Sequence, residues 1–240
     1  MKRAIVAILS LMFSTMAYAN SMSSTIGTSS LYIYRGINYY SQGQSYASQG
    51  RPIVTGGIDY SHEYLGLSAY VTPEDSFNFT SGILEPDTDV ISTLSLSKSK
   101  GDVSYGVNTN YYGFMKNPSN NMFEYAANLT YKRLRLDTSF INNFVGLQTG
   151  YFYSQASFKP TINDNANLIF HVGYIGFTEP AKIDTHNYID YKVGVGVVYD
   201  GFSYELSYSN TVARRSVFTD SISTQDSAII VSMSRSLGVF

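Results

Sequence analysis

Histidine and acidic side chains are the residues of this chain that could carry out acid–base or metal chemistry. The chain has three histidines: His62, His171 and His186. Two short acidic patterns accompany them, Asp87-x-Asp89 and Asp184-x-His186. A histidine oriented by an aspartate can act as a general base on water, and paired carboxylates can position that water. The chain contains no cysteine, which excludes disulfide scaffolds, Cys-ligated metal sites and thiol catalysis.

The two acidic patterns resemble the Asp pair and Asp-His pair of omptin-type outer-membrane proteases, which activate a water between them. Such short patterns also occur by chance in acidic loops. Omptin barrels also have fewer and longer strands than the twelve that are predicted for this chain below. No G-x-S-x-G elbow, P-loop or H-E-x-x-H motif is present. We therefore expect these acids to be solvated loop residues, and we expect no enzyme activity, metal or cofactor.

The composition narrows the class of protein. The chain has 240 residues, of which 44% are hydrophobic, 15% aromatic and only 14% charged. Globular domains average about 25% charged residues, and disordered chains have few aromatics. A net charge of −2 provides no basic excess for nucleic acid. A folded, tyrosine-rich chain that does not bind nucleic acid is expected.

The first residues have the pattern of an export signal. Lys2 and Arg3 precede a short apolar core, Ala4–Phe13, and Ala17-Tyr18-Ala19 supplies a cleavage site. The core is shorter than the roughly 20 apolar residues of a membrane-spanning helix. We expect a signal peptide at residues 1–19, a single β-barrel domain at residues 20–240, and no helical membrane anchor.

The rest of the chain alternates apolar with polar or small residues. In Val103–Tyr112 and Phe202–Asn210, every second residue except Thr109 and Asn210 is apolar or aromatic, as in a β-strand with two different faces. Twelve strands are predicted: Ser24–Tyr34, Ile53–Tyr60, Tyr64–Val71, Thr88–Lys98, Val103–Tyr112, Met122–Tyr131, Leu134–Asn142, Thr149–Phe158, Asn167–Gly176, Tyr188–Tyr199, Phe202–Asn210 and Ser227–Leu237.

The connections between these strands alternate between long and short. Asp200-Gly201, for example, is a strong two-residue hairpin signal, whereas Thr211–Asp226 is long and polar. This alternation is typical of outer-membrane barrels, which have short periplasmic turns and longer extracellular loops.

An exported all-β chain could also be a soluble sandwich, with its apolar face inward. The polar faces here are rich in Gly, Ser, Ala and Asn rather than Lys and Glu, and tyrosines cluster at strand ends. Lipid-facing barrels carry such aromatic girdles, and bacterial ones have an even number of strands. The predicted fold is an all-β, transmembrane up-and-down antiparallel β-barrel of about twelve strands in the outer membrane of a Gram-negative cell.

The polar face of the predicted barrel would line its lumen. Charges of both signs on this face would set the selectivity of a pore, although Arg135 and Asp137 could instead pair with neighbours and leave the lumen narrow or closed. The candidate lumen-facing residues are Asn108, Asn110, Glu124, Asn128, Arg135, Asp137, Asp190, Lys192 and Glu205.

Three short motifs resemble those of TorF-like porins, a bacterial family of outer-membrane barrels. Ser29–Ile37 resembles the family's first strand through its aromatic residue and Arg35-Gly36. Gly56–His62 is similar to its G-G-x-D-Y-x-H hairpin, and Glu85–Asp87 to its E-x-D pattern. The resemblance implies an outer-membrane porin without established catalytic residues. Its first loop is longer here, and tryptophan is absent.

A structural role is expected for the motif residues. The glycines Gly36, Gly56 and Gly57 would permit bending or close backbone approach. Asp59, Tyr60 and His62 would cap a periplasmic hairpin, with a hydrogen bond between His62 and Asp59.

The expected function is passive diffusion of small solutes through the lumen. The alternative is a structural or adhesion barrel that acts through its extracellular loops, because twelve strands lie between filled eight-stranded barrels and wide porins. The expected partners are outer-membrane lipid, the barrel-assembly machinery and small solutes.

Overall fold

The computed structural model describes residues 21–31, 33–35, 37–38, 53–62, 65–73, 88–114, 118, 121–143, 149–180, 186–212 and 227–238. The predicted signal peptide at residues 1–19 lies outside this description.

Every regular element of the described chain that is longer than one residue is a β-strand. The strands are β1 (Ser21–Ser29), β2 (Ile33–Tyr34), β3 (Ile37–Asn38), β4 (Ile53–His62), β5 (Leu65–Pro73), β6 (Thr88–Lys100), β7 (Val103–Phe114), β8 (Met122–Tyr131), β9 (Leu134–Ile141), β10 (Tyr151–Phe158), β11 (Thr161–Asn163), β12 (Ala166–Phe177), β13 (Tyr188–Tyr199), β14 (Phe202–Val212) and β15 (Ala228–Gly238). Within the described residues, no helix has the length and apolar character needed to cross a bilayer.

Thirteen strands form one antiparallel sheet, and all of them except the short β11 form a ring. When β2, β3 and β11 are left out, each of these twelve strands pairs with its neighbours in chain order. The last strand pairs with the first, with Ser23 opposite Gly238 and Ser29 opposite Ser232. On the other side of the ring, β10 pairs with β12. The hydrogen-bonded ladder therefore runs through all twelve strands and returns to β1, which is the topology of an up-and-down barrel.

The two faces of the ring differ in composition. Along β8, Phe123, Tyr125 and Leu129 are exposed, whereas Glu124 between them is buried. Along β15, Val231 and Met233 are exposed, and the alternating Ser232 and Ser234 are less exposed. The alternation predicted from the sequence thus places apolar side chains on the outer face. The inner face carries small and polar side chains together with buried aliphatic and aromatic ones, such as Ile141, Tyr151 and Ile175.

The two ends of the barrel differ in the length of their connections. At one end, called the hairpin end, tight turns join the strands; Asp200 and Gly201 both have positive φ, at 50° and 75°, as a type I′ turn requires. At the other end, called the long-loop end, the connections include residues 39–52, 74–87 and 213–227.

Most of the predicted strands agree with the structure within a few residues. The prediction for the first strand, Ser24–Tyr34, is wrong at its C-terminal end, because β1 stops at Ser29 and the chain then forms the separate hairpin β2–β3. The connection after β10 is longer than its neighbours because β11 extends that hairpin by pairing with the start of β12.

Candidate functional site

Arg35 reaches across the interior of the barrel. It lies at the turn of the hairpin β2–β3, and its φ of 52° is in the left-handed region that tight hairpin turns use. Its Nη2 donates a hydrogen bond to Glu124 Oε1 on β8, which is far from β1 in the strand order of the ring. The segment that follows β1 therefore turns into the barrel instead of extending its wall.

Glu124 is the acceptor at the centre of this contact. Its side chain is fully buried, and the Tyr112 hydroxyl donates to its second oxygen at 2.5 Å. Asn110 Nδ2 lies 3.5 Å from the same oxygen. Removing an ion from water costs several kcal/mol unless ion pairing and hydrogen bonds compensate it. Arg35 and two side chains of β7 provide that compensation here.

Buried aromatic rings hold the arginine in place. Its guanidinium carbon lies 4.6 Å from the ring centre of Tyr153 and 5.3 Å from that of Tyr151, within the range of cation–π attraction. Arg35 Nη1 donates to the Tyr151 hydroxyl at 2.7 Å, and the Tyr188 hydroxyl donates to the Arg35 carbonyl at 3.0 Å. Phe177 packs edge-on against Tyr151 at 5.9 Å. These contacts fill the interior near the long-loop end.

A second polar network, centred on His171, lies nearer the hairpin end. His171 Nδ1 is hydrogen-bonded to Ser157 Oγ at 3.1 Å, and Nε2 to Asp190 Oδ1 at 2.9 Å. The Tyr153 hydroxyl donates to both oxygens of Asp190 and also lies 3.1 Å from His171 Nε2. The order serine, histidine, aspartate is that of nucleophilic hydrolases. Here the Tyr153 hydroxyl lies within hydrogen-bond distance of the same His171 nitrogen and the same Asp190 carboxylate. Since Tyr153 and Ser157 lie on β10, the four side chains connect β10 with β12 and β13.

Gly173 makes room for this network. A Cβ at this position would lie 2.6 Å from Asp190 Oδ2 and would also clash with the Tyr153 hydroxyl. A side chain at this position would therefore displace the Tyr153 hydroxyl or the Asp190 carboxylate from its present contact.

Two further ion pairs lie on the inner face. Arg135 donates from Nε and Nη2 to Asp137, two residues along β9, at 2.7 to 2.9 Å. Lys192 Nζ lies 2.9 Å from Glu205 Oε1 on the neighbouring strand. The sequence alternative in which Arg135 pairs with its neighbour thus describes the observed geometry.

The predicted lumen residues lie on the face opposite the exposed apolar side chains. Asn108 Nδ2 donates to Asn110 Oδ1 at 3.1 Å, and Asn128 lies opposite Asp137 in the strand register. The structure places Asn110 beside Glu124 and Glu124 beside Arg35. The other charged candidates lie in separate pairs.

The motif residues divide into those near the site and those outside it. Arg35 is at the centre of the interior contact. Asp59 and Tyr60 lie within β4, and Tyr60 is buried. The expected close approach at Gly56 is not observed, since a Cβ there would meet nothing within 4 Å. Gly57 lies opposite Thr25 in the strand register.

Two parts of the motif hypothesis cannot be placed. Gly36 and the side chain of His62 lie outside the described residues, so the expected hydrogen bond between His62 and Asp59 stays a prediction.

Several site residues were missed in the sequence prediction. His171, Tyr153, Tyr151 and Tyr188 were not among the lumen candidates, although strand alternation gave a usable signal for His171. It stands between Phe170 and Val172, both exposed on the outer face, so period two places it inside. Tyr188 belongs to the tyrosines at strand ends that suggest a girdle, yet it is buried in the interior, because composition does not distinguish a ring facing lipid from one filling the interior.

The described residues contain no group of three or more His, Asp or Glu side chains that could hold a metal ion. Of the protease-like pattern, Asp87 and Asp184 lie outside those residues.

Comparisons with known proteins agree with the fold. The family model Gcw_chp, described as a bacterial protein of unknown function, matches residues 15–237. No match was found among curated protein sequences. A chain solved in work on the in-meso crystallization of membrane proteins is similar with a TM-score of 0.56 at 7% identity, over 92% of this chain and 84% of that chain.

Two outer-membrane proteins are less similar in structure. They are the channel DcaP of Acinetobacter baumannii, with a TM-score of 0.44 at 10% identity over 90% of this chain and 72% of that chain, and OprD from Pseudomonas aeruginosa, with 0.40 at 11% identity over 92% and 66%. At 7% identity, the likeness to the first of these chains concerns the fold alone.

Proposed function

The chain belongs to Gcw_chp, a bacterial family of unknown function, and we propose that it is an outer-membrane channel for passive diffusion of small solutes. The observation that carries the proposal is the group of charged side chains inside the twelve-stranded ring, which form three ion pairs and the hydrogen bond between His171 and Asp190. Charged groups inside a barrel need water or partners, and the Arg135 and Lys192 side chains remain 55% and 33% exposed beside their partners, which indicates open space in the interior.

The position of Arg35 adds a constriction to this channel. The hairpin that carries Arg35 occupies the interior near the long-loop end, which we assign to the extracellular side because outer-membrane barrels place their longer loops there. Solutes would pass between this hairpin and the wall. The resemblance of Ser29–Ile37 to TorF-like porins supports the same function, and export through the predicted signal peptide would bring the chain to the barrel-assembly machinery.

Planar-bilayer recording of the purified, folded protein tests the proposal. We expect discrete conductance steps for the unmodified chain and larger steps for Arg35→Ala, because that substitution removes both the side chain at the constriction and its anchor on Glu124. Asp102→Asn, in an exposed hairpin turn, is the matched control and should leave the step size unchanged.

Insertion has to be shown independently, by protease protection of the same vesicles. Silent bilayers with inserted protein would overturn the channel and favour a barrel that acts through its extracellular loops.

A further inference from the structure

Basic side chains on the inner face share one row of the barrel wall. Ser157 on β10 lies opposite Arg135 on β9 and opposite His171 on β12, and His171 lies opposite Lys192 on β13. Paired residues of an antiparallel sheet point to the same side. Four neighbouring strands thus present three basic groups and one hydroxyl at the same height in the barrel.

Acidic side chains occupy the next row toward the long-loop end. Asp137 lies opposite Gln155, and Gln155 opposite Gly173, which in turn lies opposite Asp190. Neutral donors bind both acids, because Gln155 Nε2 donates to Asp137 at 3.1 Å and the Tyr153 hydroxyl donates to Asp190 at 3.0 Å. The acids are therefore hydrogen-bonded from the wall as well as from the basic row.

The basic member of each inner ion pair is the more exposed one. The Arg135 side chain is 55% exposed and that of Asp137 16%; for Lys192 and Glu205 the values are 33% and 26%. His171 and Arg35 are likewise more exposed than Asp190 and Glu124. The carboxylates are thus the more deeply buried partners, and the side chains of these pairs that are most exposed to the lumen are those of Arg135 and Lys192.

We propose that this row, Arg135–Ser157–His171–Lys192, is an anion site that makes the channel selective for small anions, such as inorganic ions and carboxylates. The inference rests on the proposed channel function. Arginine and lysine supply charged donors to an oxyanion or halide, and the Ser157 hydroxyl lies between them. Rings of basic side chains select anions in other pores. Asp59 lies on the inner face of β4, a strand that is remote in the ring from the four strands that carry this row.

Reversal potentials across a KCl gradient test the selectivity. The unmodified channel should be more permeable to chloride than to potassium. Arg135→Gln and Lys192→Gln should each lower the chloride-to-potassium permeability ratio by about two- to five-fold, the range expected for one unit charge at contact distance in water with partial salt screening. Arg135→Lys should retain the preference, because it retains the charge.

The matched control is Arg235→Gln, which removes the same charge from the outer face, where Arg235 lies over the ring of Phe202. It should leave the ratio unchanged. A conducting channel that prefers potassium, or one in which the row variants change the ratio no more than Arg235→Gln does, would overturn the anion site while leaving the channel intact. Absence of conductance would overturn the channel itself.

Discussion

The pairing of Arg35 with Glu124 is the contact on which the interior hairpin most depends. Glu124→Gln leaves the guanidinium largely buried without its counter-charge, and breaking a buried pair in this way costs about 3 kcal/mol. We expect the free energy of unfolding to fall by about that amount, measured by urea titration of the protein folded in lipid vesicles.

The exposed pair of Lys132 and Asp102 provides the control for this prediction. Its two charged groups are 3.7 Å apart and both side chains are well exposed, so Asp102→Asn should cost less than about 1 kcal/mol. If the two substitutions had equal effects, Arg35 would not be anchored by Glu124. In a double-mutant cycle, Arg35→Gln and Glu124→Gln should couple by about 2 kcal/mol.

Individual site residues were predictable where alternation decided them. Glu124 and Asp190 stand between apolar neighbours, so period two placed both on the inner face. The partner of Glu124 was not predictable, because Arg35 is 89 positions away in the chain and no local pattern encodes that contact. The Arg35-Gly36 motif marked the residue without indicating where its side chain goes.

Among the strands, β7 shows how sharply the two faces are separated. Val107 is exposed on the outer face, and the adjacent Asn108 lies on the inner face at the same depth. A lysine on the lipid face near the bilayer midplane costs about 2–4 kcal/mol, whereas an ammonium in a wet lumen keeps its hydration. We expect Val107→Lys to lower the free energy of unfolding by that amount and Asn108→Lys to change it by less than about 1 kcal/mol.

The same urea titration in lipid vesicles measures both β7 variants. A larger loss for Asn108→Lys than for Val107→Lys would mean that the apolar face points inward, as in a soluble sandwich, and would contradict the membrane barrel.

Strand boundaries followed the sequence where a turn signal coincided with the end of the alternation. Both bounds of β8 and β13 were predicted correctly, and tight turns follow Tyr131 and Tyr199. The first strand was extended too far because apolar residues continue past Ser29 into the segment that turns inward. After β1 the chain turns inward and Arg35 contacts Glu124 and Tyr151 on distant strands, and a local pattern of alternation does not encode such contacts.

The molecule as a whole depends on the pairing of its first and last strands. A sheet with free edges leaves backbone groups unpaired in lipid, each costing several kcal/mol, so a spanning sheet has to close. In this chain β1 supplies both contacts, to β4 on one side and to β15 on the other. The interior hairpin begins directly after β1, so closure of the ring and narrowing of the lumen involve one continuous segment.

A cysteine pair tests the closure directly, because the chain has no cysteine of its own. Thr25 and Ser236 lie opposite each other in the β1–β15 register, and opposed Cα atoms in antiparallel strands are about 4.5–5.5 Å apart, within the range that a disulfide spans. Thr25→Cys with Ser236→Cys should therefore cross-link in the folded protein, seen as faster migration of the oxidised, heat-unfolded chain on a non-reducing gel. Thr25→Cys with Ser207→Cys, whose partners lie on other strands, should not. A folded barrel in which the first pair stays reduced under oxidant would show that the ring is open between β1 and β15. The contact between Arg35 and Glu124 would then need an explanation that does not depend on closure of the ring.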